Sequence, residues 1–167
     1  LRVDPDSPDV STVDEVVDCL LEGGIVALPT ETVYGLAVDA TNRAAVERLF
    51  ALKQRSRGKS ISLMVDSSKL LWQIACNVTV EIRRLMEAFW PGPLTLVFRK
   101  REGNFAHLSA GETIGVRLPD HSVPLAIVQA LGRPLACTSA NPAGQPEAHT
   151  AAEVEAAFGG QVQAILD

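Results

Sequence analysis

The chain has 167 residues, of which 47% are hydrophobic and 21% charged, and its net charge is −5. This composition is typical of one globular domain and excludes a disordered chain, and the apolar runs are far shorter than the roughly 20 residues of a membrane span. The N-terminal residues show no signal-peptide pattern. A pI near 5.2 argues against a general electrostatic grip on nucleic acid, because domains that bind nucleic acid usually carry a basic face.

The cysteine pattern indicates a reducing environment. Cys19, Cys76 and Cys137 are an odd number of thiols, and none of them forms a C-x-x-C pair. Such a set is typical of free thiols in a cytoplasmic protein and disfavours a disulfide framework.

Apolar residues at helical spacing alternate along the chain with short apolar runs. Thr12 and Glu15 are spaced as a capping box at the start of the first helix, and Thr150 and Glu153 as another at the start of the last. Glycine pairs at 23–24 and 159–160 end these two helices. The other predicted helices cover residues 42–53, 67–76, 80–89 and 124–131, and the predicted strands cover residues 25–28, 61–65, 94–98, 114–118, 135–138 and 162–166.

Two of these segments carry a further prediction about exposure. Helix 80–89 places Ile82, Leu85, Met86 and Phe89 on one face, which should pack on the core. The polar segment 99–107, which contains Arg99, Lys100, Arg101, Asn104 and His107, should be an exposed loop.

The alternation of helices and strands, without an internal repeat, predicts a single-domain layered α/β or α+β fold around a twisted, mixed sheet. Strand ends near Pro29, Arg117 and Thr138 each open into a polar segment. Ligands in such folds bind in the crevice that strand ends face, so we expect a binding cleft there.

Four cations stand at alternate positions, at Lys53, Arg55, Arg57 and Lys59. In an extended segment they would project to one side, where a polyphosphate would relieve their mutual repulsion. The alternative is that Lys53 lies in the last turn of the preceding helix, where a cation is favoured without any ligand.

Arg117 stands within an otherwise apolar strand, and a half-buried guanidinium needs an anion. Alternation places Gly115 on the same face, which leaves room beside the arginine. The anion could be a ligand the size of a carboxylate or carbonate, or an internal Asp or Glu.

Several kinds of site are missing from the sequence. Neither a G-x-G-x-x-G loop nor a P-loop is present, and His107, His121 and His149 are too scattered to suggest a metal site. Cys137, Ser139 or Thr138 could be a nucleophile only if a histidine came close in space. The run from Thr138 to Asn141 offers two hydroxyls and an amide as ligand contacts, or it is a turn with Asx or Ser capping.

Five sequence blocks, taken in order, resemble the YrdC/TsaC family of threonylcarbamoyl-AMP synthases. They are Pro29-Thr-Glu-Thr-Val-Tyr-Gly-Leu36, Lys53-x-Arg55, Phe89-Trp-Pro-Gly-Pro-Leu-Thr-Leu96, Gly115-Val-Arg-Leu-Pro119 and Thr138-Ser-Ala-Asn141. The resemblance implies a YrdC-like domain over residues 1–167 with a concave cleft. It also implies that the chain lacks the family's C-terminal segment, with its Ser-Thr-Val motif and a later arginine.

The implied activity is that of a cytoplasmic nucleotidyltransferase. It would convert L-threonine, bicarbonate and ATP into threonylcarbamoyl-AMP and pyrophosphate, with Mg²⁺ accompanying ATP and no prosthetic group. Partner proteins would then pass the threonylcarbamoyl group to an adenosine beside the anticodon of tRNA. Because the substrate supplies the nucleophile, the enzyme needs positioning and cations rather than a catalytic dyad.

The resemblance also assigns site residues, with no covalent nucleophile and no protein-held metal. The implied ATP contacts are Lys53, Arg55, Lys59, Thr113, Ser139, Asn141 and His149. The implied threonine and bicarbonate contacts are Thr32, Arg117 and Thr138. Arg57 has no counterpart, and Ser56 replaces a proline that is common in relatives, so the loop loses a fixed φ angle.

Two other functions fit the same sequence. One is a non-catalytic module that binds double-stranded RNA or tRNA through the cations at 53–59 and 99–101. The other is a carbamoyl-transfer domain that uses carbamoyl phosphate, as in larger proteins with a related domain.

Overall fold

The computed structural model describes residues 1–54, 60–101, 103, 105–109 and 111–167. The helices are α1 (Val10–Leu21), α2 (Arg43–Leu52), α3 (Ser68–Ile74), α4 (Val80–Phe89), α5 (Ser122–Leu131) and α6 (Ala151–Phe158). The strands are β1 (Val26–Leu28), β2 (Gly35–Asp39), β3 (Ser62–Met64), β4 (Ala75–Cys76), β5 (Leu96–Lys100), β6 (Thr113–Arg117), β7 (Leu135–Ser139) and β8 (Ala164–Ile165).

The strands form one mixed sheet in the order β4-β5-β6-β3-β7-β2-β1-β8. The pairs β1–β8 and β3–β6 are parallel, whereas β1–β2, β2–β7, β3–β7, β4–β5 and β5–β6 are antiparallel. Helix α1 packs against α5, and α2 packs against β2. The predicted layered α/β fold with a mixed sheet is therefore confirmed.

Strand β2 is the main element that the sequence prediction missed. All five of its residues are buried, and it lies between β1 and β7 in the sheet. It ends at Asp39, whose buried carboxylate accepts hydrogen bonds from the Thr41 hydroxyl at 2.7 Å and from Arg133 Nη1 at 2.9 Å. A short run that ends in an acidic residue lacks the pattern of a buried strand, which explains the omission. The two-residue strand β4 was wrongly included in the preceding helix.

The first helix begins at a different N-cap residue from the one predicted, whereas the last helix begins as predicted. Helix α1 begins after Asp9, whose carboxylate accepts from Ser11 Oγ at 2.6 Å and from the Thr12 backbone N–H at 2.9 Å. These hydrogen bonds, that from Ser11 first, hold the pKa of Asp9 at about 2. Thr12 therefore lies inside the helix. The second capping box, between Thr150 and Glu153 at the start of α6, is confirmed.

One exposure prediction is wrong and the other holds in part. Of the predicted apolar face of α4, only Met86 is buried, whereas Leu85 is 41% and Phe89 54% exposed. The 99–107 segment is exposed at Arg99 and Arg101, as predicted, but its first two residues belong to β5, and the Nε2 atom of His107 lies 2.8 Å from the carbonyl oxygen of Ala40. Asn104 lies outside the described residues.

The structure also shows the state of the cysteines and the character of the helices. Cys19, Cys76 and Cys137 are all free. Within the described ranges, none of the helices has both the length and the apolar character that crossing a membrane requires.

Candidate functional site

A cavity of about 530 Å³ opens on the central strands of the sheet, where β2, β3, β6 and β7 lie side by side. Its lining is rich in hydroxyl groups, which come from Thr30, Thr32, Ser60, Ser62, Thr95, Thr113, Thr138 and Ser139. Arg117 and Glu147 are the charged members of the described lining. A polar cavity of this size suits a small, hydrogen-bonding ligand.

Two glycines keep the cavity open where strands pass closely. A Cβ atom on Gly35 would lie 2.6 Å from Cys137 Sγ, and one on Gly115 would lie 3.1 Å from Thr95 Cγ2. Both glycines line the cavity, and Gly115 lies beside Arg117 as the alternation of β6 predicts. A larger residue at either position would displace a neighbouring side chain.

The anion that pairs with Arg117 is Glu31. Of the two anions that the sequence allowed, a ligand or an internal Asp or Glu, the structure shows the internal carboxylate. Arg117 Nη2 lies 2.9 Å from Glu31 Oε1 and donates to Thr32 Oγ1 at 3.1 Å, while Nε donates to the carbonyl oxygen of Gly92 at 3.3 Å. No described residue accepts a hydrogen bond from Nη1. The guanidinium therefore has a fixed orientation and keeps donors for a ligand.

Glu31 is held from two sides. Its Oε1 also accepts from the backbone N–H of Asp120 at 2.9 Å, whereas Oε2 is buried and has no hydrogen-bond partner among the described residues. Burial alone would raise the pKa of Glu31. The hydrogen bonds from Asp120 and Arg117 outweigh burial, so the net pKa lies below its ordinary value and the carboxylate is ionised near neutral pH.

The Thr30–Thr32 loop presents its hydroxyl groups through a local turn. Thr30 Oγ1 donates to the Val33 carbonyl oxygen at 2.7 Å and accepts from the backbone N–H groups of Thr32 and Val33. The two threonine hydroxyls lie 3.0 Å apart. This hydrogen-bonded turn places Thr32 against Arg117.

Lys53 does not lie on an extended wall of cations. It follows α2 as the C-cap in a right-handed helical conformation, and Gln54 after it has a φ of 46°. Its side chain is only 6% exposed and points inward. The alternative placement at the helix end is therefore correct for Lys53. Arg55, Arg57 and Lys59 lie outside the described residues, so their assigned contacts stay predictions.

The run from Thr138 to Asn141 is both a turn and part of the cavity wall. Thr138 and Ser139 line the cavity, and Ser139 Oγ donates to Asn141 Oδ1 at 2.7 Å. Asn141 Nδ2 donates in turn to the Gln145 carbonyl oxygen at 2.6 Å. Asn141 is not part of the described lining but orients the serine that is.

The other assigned nucleotide contacts divide between two places. Thr113 lines the cavity. His149 is exposed outside the described lining, and its backbone N–H donates to Glu153 Oε2 at 2.6 Å as part of the start of α6. Sequence reasoning did not single out Glu147, which follows a stretch without a distinctive signal, or Glu31 as the partner of Arg117.

The cavity offers no activated protein nucleophile among its described residues. Cys137 is 4% exposed, and its burial raises the pKa of the thiol to about 12, although Arg117 and Lys53 nearby act in the opposite direction. None of the described lining residues is a histidine. The described residues also contain no cluster of His, Cys, Asp and Glu that could hold a metal ion.

Comparison with known proteins places this arrangement in a family. The family model Sua5_yciO_yrdC, described as Telomere recombination, matches residues 18–167. The chain belongs to the Sua5/YciO/YrdC family. The resemblance that the sequence blocks indicated is thereby confirmed.

Two curated relatives of this family are both named threonylcarbamoyl-AMP synthase. The protein of Idiomarina loihiensis is 40% identical over 156 residues, which cover 92% of this chain and 84% of the relative. The protein of Pyrococcus abyssi is 38% identical over 147 residues, which cover 87% of this chain but only 43% of that longer relative.

A solved structure of P. abyssi Sua5 in complex with L-threonine has the same fold. Its TM-score is 0.94 at 33% identity, and the match covers 100% of this chain and 50% of that one. The present chain therefore spans about half the length of the archaeal protein.

Proposed function

We propose that this chain catalyses the formation of threonylcarbamoyl-AMP and pyrophosphate from L-threonine, bicarbonate and ATP. The names of the two curated relatives support this activity, and the threonine complex of the P. abyssi protein supports the amino acid as a substrate. The cavity on the central strands is the proposed site.

One observation carries the proposal, which is the arrangement of Arg117 in the cavity wall. Glu31 and Gly92 fix the guanidinium, and Nη1 keeps donors without a described acceptor. The adjacent Thr32 hydroxyl offers a further polar contact. A fixed guanidinium beside a hydroxyl suits the carboxylate of an amino acid or a carbamate, because charge-assisted hydrogen bonds to such groups are strong.

The proposed reaction needs no nucleophile from the protein. The neutral amine of threonine attacks the carbon of bicarbonate, water leaves, and a carbamate forms. A carbamate oxygen then attacks the α-phosphorus of ATP, the bond from that phosphorus to the bridging oxygen breaks, and pyrophosphate leaves. The protonated, buried thiol of Cys137 agrees with this route, because it takes no part.

Catalysis in this proposal comes from holding the carbamate and the α-phosphate together. Ser139 and Thr113 in the lining provide hydroxyl contacts for the nucleotide, and Arg55 and Lys59 are its proposed cations. Mg²⁺ would enter with ATP and take most of its ligands from phosphate oxygens and water. Glu147 in the lining could meet that ion through a water molecule.

The proposed product, threonylcarbamoyl-AMP, must be used by a second protein. Threonylcarbamoyl-AMP is a mixed anhydride, so a partner protein must transfer its acyl group before water does. We propose that this partner modifies the adenosine beside the anticodon of tRNA in the cytoplasm, and that this chain acts before any contact with RNA. The run 99–101 agrees with this order, because Arg99 pairs with Glu112 at 3.0 Å, Lys100 donates to Ser109 and Arg101 to Trp72.

The test is pyrophosphate release from ATP by the purified chain, with threonine and bicarbonate each omitted in turn. We expect release only when both are present, together with a threonylcarbamoyl-AMP product identified by mass spectrometry. Carbamoyl phosphate should not replace the two substrates. AMP formation from carbamoyl phosphate would support the carbamoyl-transfer alternative, and salt-sensitive tRNA binding without pyrophosphate release would support the RNA-binding one.

A further inference from the structure

Lys53 is a buried cation whose ammonium group is held by one turn of the backbone. Its Nζ atom donates to the Ser139 carbonyl oxygen at 2.7 Å, to Asn141 Oδ1 at 2.9 Å and to the Asn141 carbonyl oxygen. A lysine ammonium has three N–H donors, and a buried charge is tolerated only when such donors are satisfied. The hydrogen bonds to this turn therefore stabilise the buried charge.

All three acceptors belong to the 139–141 turn, which consists of Ser139, Ala140 and Asn141. The turn borders the cavity, because Ser139 is one of its lining residues. Lys53 attracts Asn141 Oδ1, which also accepts from Ser139 Oγ, and the amide nitrogen of Asn141 then faces the Gln145 carbonyl oxygen. The lysine thus selects one of the two orientations of the Asn141 amide.

The Lys53 ammonium also lies near Cys137, one of the residues that line the cavity. Cys137, which lines the cavity, has a pKa raised by burial, and Lys53 is one of two cations that oppose this rise. The ammonium therefore lies close to the site without being exposed in it. The Lys53 ammonium lies beneath the 139–141 turn, whereas a side chain that contacts a ligand directly would be exposed to the cavity.

We propose that Lys53 is a positioning residue, which acts on the nucleotide through the 139–141 turn and not by direct contact with a phosphate. It fixes the Ser139 hydroxyl and the Asn141 amide in the orientation that the nucleotide meets. The identity of the ligand as ATP rests on the function proposed above. The effect of Lys53 on the 139–141 turn is independent of that proposed function.

The first experiment therefore needs no ligand. Lys53→Met keeps the length and removes the ammonium, and Lys69→Met, at an exposed position in α3, is the matched control. We expect backbone amide chemical shifts and hydrogen-exchange protection over residues 139–145 to change in the first variant and to stay unchanged in the second. An unchanged 139–145 segment in folded Lys53→Met would overturn the proposal.

The second experiment separates action through the turn from direct contact. Lys53→Met and Asn141→Ala should each weaken ATP binding by about tenfold or more, the range of a hydrogen bond to a charged group. The double variant should lose little beyond either single one, because both act through the same amide. The KM for ATP should rise while that for threonine stays within about twofold. Losses that multiply would indicate a direct phosphate contact and would overturn the proposal.

Lys53→Met can be tested only if it folds, and the ATP measurements only if the wild type binds ATP. If Lys53→Met does not fold, the same link is tested from the other side, with the ¹H–¹⁵N signal of the Lys53 ammonium. We expect this signal to be protected in the wild type and to lose protection in Asn141→Ala, and unaltered protection would overturn the proposal. If the wild type binds no ATP, the proposed function fails, while the amide measurements still decide the role of Lys53.

Discussion

Arg117 and Glu31 form an ion pair at the cavity wall in which the two side chains are only 14% and 17% exposed. Each residue also has a backbone partner, since Arg117 Nε donates to Gly92 and Glu31 accepts from Asp120. The pair therefore joins the Thr30–Thr32 loop to the end of β6 and to the segment after α4. Its energetics can be tested independently of any ligand.

Removing one partner of this pair should cost more than removing both. Arg117→Met leaves the Glu31 carboxylate buried without its cation, and we expect a loss of about 3 kcal/mol in the free energy of unfolding. The double variant Glu31→Gln/Arg117→Met should recover part of this loss. Urea denaturation at neutral pH measures both values. Equal stability of the single and the double variant would contradict a coupled pair.

Arg117→Lys tests the role of the planar guanidinium in substrate binding. Lysine keeps the charge but cannot hold Glu31, Thr32 and a ligand carboxylate at once, because its donors leave from a single atom. We expect the KM for threonine to rise about tenfold or more, with the KM for ATP changed little. Arg99→Lys, at an exposed ion pair with Glu112, is the control and should leave both constants unchanged.

The lowered pKa of Glu31 predicts an acid-dependent loss of stability. In the folded state the pKa lies below the ordinary value of 4.5, so the stabilisation is complete above that value and disappears as the pH falls through the lower folded pKa. Unfolding free energies of the wild type and Glu31→Gln, measured between pH 7 and pH 3, should converge at the acid end. A constant difference across this range would show that the ionised carboxylate is not responsible.

Gly35 and Cys137 should show strong coupling. Gly35→Ala places a methyl group 2.6 Å from Cys137 Sγ, inside contact distance, and we expect a destabilisation of about 1–3 kcal/mol from overpacking. Cys137→Ala removes that sulfur, so the double variant should be more stable than Gly35→Ala alone. Thermal and urea unfolding of the four proteins give the coupling energy. Strictly additive losses would place the strain elsewhere.

The sequence predicted the parts of the site that local pattern controls. The strand context of Arg117 indicated that it needed an anion, and the alternation of β6 placed Gly115 beside it. The hydroxyl-rich run at the end of β7 was recognised as a possible ligand contact. For Gly115 and Arg117, period-two alternation within one strand was enough to decide which way the side chains face.

Long-range partners were not predictable in the same way. Alternation at 53–59 assumed an extended backbone, but α2 continues to its cap at Lys53 and turns this side chain toward residues far along the chain. Glu31 was one of several acidic residues that could have met Arg117, and only the packing of the Thr30–Thr32 loop selects it. β2 was missed because its burial comes from pairing with β7, which sequence spacing does not reveal.

The strand order has a consequence for how this protein acquires its site during synthesis. Gly35 pairs with Ser139, so two walls of the cavity come from parts of the chain that are roughly a hundred residues apart, a separation typical of slow, high-contact-order folding. A nascent chain that has not yet released β7 from the ribosome can form α1 and α2 but has neither the cavity nor the 139–141 turn that holds Lys53. Ligand binding can therefore stabilise only a chain in which β7 has already been made, and the earlier stages depend on local helix formation and on protection of the unpaired β2 edge.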